Sequence, residues 1–139
     1  MTRRTASRFA VYDAGMLIGL AKPGGARSLH KTLVAEGVAP VVPGPVYAQV
    51  WRPGRTAATV GPFLSQCEVY TGYTFDDYQA VAKILAITTP PKGKRLDVVD
   101  ALVVVTAELY QAEEIMTSDP GDIAAYADAY GYEVLVTPV

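Results

Sequence analysis

The stretch DVVDALVVVTAELYQ, residues 97–111, decides how this chain folds. Its valines modestly disfavour a helix and leave a strand open. Its length, and the Asp97 that opens it as a preferred N-cap, favour a helix. Read as a helix, it continues an alternation that runs the length of the chain. Strand-like runs stand at FAVYDAG (9–15), VAPVVP (38–43), CEVYTG (67–72), EEIMTS (113–118) and YEVLVTPV (132–139). Between them lie helical stretches at 16–22, 26–37, 45–54, 55–67, 74–88 and 119–131. The stretch 55–67 is expected as one helix bent near Gly61-Pro62. Thr74, with Asp77 three residues on, has the form of a capping box. Gly37 and Gly131 stand where C′ glycines belong. Strands alternating with helices predict an α/β fold with a parallel sheet covered on both faces.

Composition bounds the rest. The chain has 139 residues, half of them hydrophobic, enough for one domain (1–139) with a real core; residues 1–8 are expected as a flexible arm. Twelve Lys and Arg against 14 Asp and Glu leave a net charge of −2, which excludes the basic field that grips duplex DNA. A single cysteine, Cys67, excludes a disulfide framework, and a single histidine, His30, excludes the zinc sites that need several imidazoles. No apolar run reaches the ~18 residues of a membrane span. The N-terminus has no signal-peptide pattern, so the expected location is the cytoplasm, with no membrane partner. His30 reads as a surface residue, Cys67 as core, and Trp51 as a helix-end anchor rather than a base-stacking platform.

Chemistry in an open parallel sheet sits beyond the carboxyl ends of its strands. Asp13 and Asp119 follow strands there; Asp97, Asp100 and Asp122 stand at helix starts. Taken singly, Asp97, Asp100, Asp119 and Asp122 read as caps or first-turn acids. Asp13 escapes that reading best, because it follows an apolar strand and a carboxylate there needs a partner. Taken together, clustered carboxylates repel one another unless a proton is shared or a divalent ion binds. All-oxygen donors select Mg²⁺ or Mn²⁺. Arg52, Arg55, Lys92, Lys94 and Arg95 form a candidate basic rim for a phosphate backbone.

The runs AVYDAGMLIGLA, VVPGPVYAQVWR, DVVDALVVVTA and IMTSDPGDI, in this order, resemble a PIN domain of the VapC-type toxin ribonucleases. The resemblance implies a three-layer α/β/α fold with a central parallel sheet. It also implies a Mg²⁺- or Mn²⁺-dependent endoribonuclease, a cognate antitoxin and a homodimer. Carried over by position, Asp13, Asp100 and Asp119 are metal ligands, and Asp122 joins them as a catalytic acid. Asp97, Gln49, Thr117 and Ser118 support that set by hydrogen bonds, while Arg52, Lys92, Lys94 and Arg95 position RNA. One departure stands out: the family usually has a glutamate where this chain has Gln49, a poor ligand for a hard cation. The rival expectation is therefore a PIN-like binding module, weak or inactive as a catalyst, that holds an antitoxin or RNA.

Overall fold

A computed structural model describes residues 8–90 and 93–139. Five strands of the described residues form one parallel sheet: β1 (Arg8–Tyr12), β2 (Val38–Pro43), β3 (Glu68–Tyr70), β4 (Glu114–Thr117) and β5 (Leu135–Pro138). Their spatial order is β3-β2-β1-β4-β5, so β1 is central and the chain winds outward on both sides of it. Among the described residues eight helices connect them: α1 (Ala14–Gly19), α2 (Gly25–Ala35), α3 (Gly44–Val50), α4 (Arg55–Thr59), α5 (Gly61–Leu64), α6 (Phe75–Ile87), α7 (Val98–Tyr110) and α8 (Pro120–Tyr130). The architecture is the expected three-layer α/β/α. Among the described residues, no helix is long and apolar enough to cross a membrane.

The valine-rich stretch is a helix, and its composition has a physical reason. Ala101 to Ala107 are all buried in α7, which packs on β1, β2 and β4 with α6 and α8 beside it. A helix enclosed on all sides needs no polar face, so valine's modest helical penalty is outweighed by burial. Phe9, Ala10, Val11 and Tyr12 of β1 are likewise buried. Successive strand residues point to opposite faces. Phe9 accordingly meets Tyr110 of α7, while Tyr12 meets His30 of α2 on the other side. Both faces of the sheet are covered.

Three expectations need correction. Residues 55–67 are not one bent helix: Pro62 has no N–H to continue the ladder, and α4 and α5 form separately around Val60. Arg8 is not part of an arm: it opens β1, and its guanidinium pairs with Glu113 at 2.6 Å. Residues 1–7, the rest of that expected arm, lie outside the described residues. His30 is not on the surface but fully buried. Its Nδ1 lies 2.8 Å from the Tyr12 hydroxyl and its Nε2 lies 2.8 Å from Gln66 Oε1. An amide oxygen only accepts, so Nε2 donates to Gln66, and Nδ1 shares the second hydrogen bond with the Tyr12 hydroxyl. Replacing His30 with Ala opens a cavity and leaves the buried Tyr12 hydroxyl without its partner. We expect His30→Ala to lose on the order of 3 kcal/mol in a urea titration, where a surface site would change by about 0.5 or less.

Candidate metal centre

Register builds the first part of the site. Tyr12 of β1 pairs with Met116 of β4, so the next residues, Asp13 and Thr117, stand side by side at the carboxyl edge of the sheet. The Asp13 N–H donates to the Met116 carbonyl at 3.1 Å. Thr117 Oγ1 donates a short hydrogen bond to Asp13 Oδ2. The Met16 N–H donates to Asp13 Oδ1 at 3.2 Å, so Asp13 is the N-cap of α1. That role had looked least apt for Asp13 among the acids. The carboxylate is buried, and burial raises its pKa against the opposing pull of these donors. Thr117 Oγ1 also accepts from the Asp119 N–H at 2.9 Å. One threonine hydroxyl thereby ties the first-strand acid to the backbone of the fourth-strand acid.

The other acids come from α7 and α8. Asp97 caps α7, its Oδ1 accepting from the Asp100 N–H at 3.0 Å. The Asp97 N–H in turn donates to the Tyr126 hydroxyl of α8 at 2.9 Å, which fixes the two helix starts against each other. Asp119 occupies the N-cap position of α8, but its side chain makes no capping bond. One oxygen from each of Asp100, Asp119 and Asp122 lies within 4.8 Å of the others. Asp13 stands beside this trio, near enough that its charge acts on Asp100 and the charge of Asp119 acts on it. Burial, then the charges of Asp97, Asp13, Asp119 and Asp122, push the Asp100 carboxyl up to about 7. Such a group is short of positive charge.

The cation that meets the trio is Lys94, in the loop between α6 and α7. Its ammonium lies 3.1 Å from Asp119 Oδ1 and 3.4 Å from Asp122 Oδ2. The lysine expected at an RNA rim is thus turned inward onto the acids. No local pattern specifies this seat, because the acids lie 25 and 28 residues further along the chain. Of the other rim residues, Arg52 is exposed and donates to the carbonyls of Ala48 and Trp51 at 3.2 and 2.6 Å. Arg95 is exposed near Asp122, and Lys92 lies outside the described residues. Gln49 is exposed on α3 and makes no hydrogen bond to these acids among the described residues. Ser118 packs against Gly15 at the start of α1. Trp51 ends α3 stacked on Tyr47, their centroids 5.3 Å apart. Cys67 is partly buried, and burial pushes its thiol up to about 12, which leaves it unreactive.

The donor set fits a hard divalent ion. It consists of carboxylate oxygens alone, from the starts of α7 and α8 with Asp13 beside them, and burial together with the surrounding negative charge raises Asp100.

No family model matches the sequence, and no curated protein matches it. Among solved structures, the chain is similar to one of VapBC2 from Rickettsia felis bound to a DNA fragment from their promoter. The TM-score is 0.68 at 13% sequence identity, with 94% of this chain and 98% of that chain covered. The chain therefore shares its PIN-like fold across nearly its full length.

Proposed function

We propose that this chain is a divalent-metal-dependent endoribonuclease acting as the toxin of a toxin–antitoxin pair. The observation that carries the reading is the carboxylate cluster: Asp100, Asp119 and Asp122 within 4.8 Å of one another, beside buried Asp13, at the carboxyl edge of a parallel sheet. The shared fold with a VapBC2 structure supports the same reading and supplies the class of partner, a cognate antitoxin.

Asp13, Asp100 and Asp119 would hold a Mg²⁺ or Mn²⁺ ion. Such an ion supplies positive charge against the charge developing on a phosphodiester and acidifies water at the site. The chain's own residues do the rest. Thr117 and the Met16 N–H aim the Asp13 carboxylate before anything binds. Asp97 and Tyr126 fix the start of α7 and with it Asp100. Asp122 is the carboxylate that accepts the proton of the attacking water. Arg52, Lys92 and Arg95 contact the phosphate backbone and position RNA without reacting. Gln49 carries no charge and is not a ligand in this reading; Ser118 hydrogen-bonds a phosphate at the rim. The exposed apolar side chains Phe75, Tyr78 and Ile87 of α6 offer surface for an antitoxin or a second copy of the chain. The enzyme works in the cytoplasm, where RNA is.

Incubating the protein with a structured RNA under Mg²⁺, Mn²⁺ or EDTA tests this. Cleavage is expected with either metal and none with chelator. Equal cleavage in EDTA overturns the proposal. RNA binding without cleavage in any metal would favour the binding-module alternative.

A further inference from the structure

We propose that Lys94 is a tethered counter-ion seated in the cation's place, and that a divalent ion enters the carboxylate cluster by displacing it. The inference rests on the metal-centre reading above and adds a residue of this chain that sets how tightly the centre takes its ion.

The geometry is specific. The Lys94 ammonium bridges two members of the trio, at 3.1 Å from Asp119 and 3.4 Å from Asp122. The Asp122 side chain is only 13% exposed, so this is not a contact between two fully solvated groups. Among the described residues the only other ion pair joins Arg8 and Glu113, on a different part of the sheet. Arg95, next in sequence, makes no ion pair among the described residues. Lys94 therefore supplies the direct positive charge on the cluster.

The chain around Lys94 suits a movable group. It follows Gly93, whose φ of +81° is open to glycine and strained for other residues, in a loop outside any helix or strand. The side chain itself is 47% exposed. An ammonium on a flexible four-carbon stem donates to carboxylates as a compact charge, without the fixed fork of an arginine. Held there, it takes up lone pairs on Asp119, an acid that would hold the divalent ion, and places its charge against Asp122 beside the same site. Two cations at those oxygens repel each other. Binding one requires releasing the other, and the released lysine then projects from the rim of the site. In the metal-free chain the same contact offsets the mutual repulsion of the Asp119 and Asp122 carboxylates.

Isothermal titration of Mn²⁺ into the metal-free protein measures the competition without reference to turnover. Lys94→Gln should bind Mn²⁺ about fivefold tighter than wild type, the scale of a half-exposed ion pair. Lys94→Arg keeps a competing cation and should stay near wild type. Lys83→Gln removes the same charge from α6, outside the trio, and should change nothing. Equal affinity in wild type and Lys94→Gln, or weaker binding in the variant, overturns the inference and leaves the metal-centre reading standing. Tightening by Lys83→Gln as large as that by Lys94→Gln overturns it too, because long-range charge would then suffice. No Mn²⁺ binding in any of the four proteins removes the metal-centre reading and this inference together.

Discussion

Asp13→Asn should reduce metal-dependent RNA cleavage by about 100-fold or more, while the metal-free protein melts at or above the wild-type temperature. The two outcomes separate chemistry from folding. Asparagine keeps the shape of the side chain, and its amide oxygen still accepts from the Met16 N–H, so the cap on α1 survives. The Thr117 hydroxyl, which donates to Asp13 Oδ2, can turn and accept from the new amide. What disappears is a buried negative charge whose pKa is raised because burial disfavours it. Losing that charge costs the fold nothing and deprives the centre of a ligand. Initial cleavage rates at saturating Mn²⁺, with melting curves in EDTA, check both halves. Full activity in the variant would remove Asp13 from the machinery; a large drop in melting temperature would mean its role is structural.

Gly15→Ala should cost about 1–3 kcal/mol of stability and most of the activity. A Cβ at Gly15 would stand 2.1 Å from Ser118 Oγ, 2.4 Å from Ser118 Cβ and 3.1 Å from the Ser118 backbone nitrogen. Rotating the serine hydroxyl relieves only the first of these. The clash with Ser118 Cβ and backbone forces apart the two turns that carry Asp13 and Asp119. Gly15 is therefore required by close approach of two strand-end turns. Its backbone conformation is not the reason, since it lies within a regular helix. The double variant Gly15→Ala with Ser118→Gly removes both serine contacts and should recover much of the loss. Urea denaturation of the two single variants and the double variant gives the coupling. Additive losses would mean that the Ser118 contact is not the cause.

Much of the local structure was legible because it depends on near neighbours. Thr74 and Asp77 make the reciprocal capping box their spacing predicts. Asp97 caps α7 through the Asp100 N–H, and Gly37 and Gly131 take positive φ after α2 and α8. The cap-versus-ligand question went differently for the site acids. Asp13, judged the least cap-like, does cap a helix, because α1 begins on the very next residue. Asp119, judged a good cap, leaves that role unfilled, and its carboxylate meets Lys94 across 25 residues of sequence. A capping motif fixes where a helix begins; it does not fix which way a carboxylate at that point turns.

The burial of His30 has a signature in the sequence. The residue lies on the helical face of Ala26, Leu29 and Leu33, all of which contribute to the core or pack against it. Its partners, buried Tyr12 and exposed Gln66, lie 18 and 36 residues away, beyond the reach of helical periodicity.

Residue order alone determined the alternation of strands and helices, the helix starts and stops, the parallel sheet, and the set of acids at strand ends, because each follows from periodicity, capping or side-chain type within a few residues. The tertiary structure alone decided the strand order, the Asp13–Thr117–Asp119 chain of hydrogen bonds, the pairing of His30 with Tyr12 and Gln66 and the seating of Lys94. Those contacts join residues brought together only when the sheet closes around β1, and no local preference specifies them.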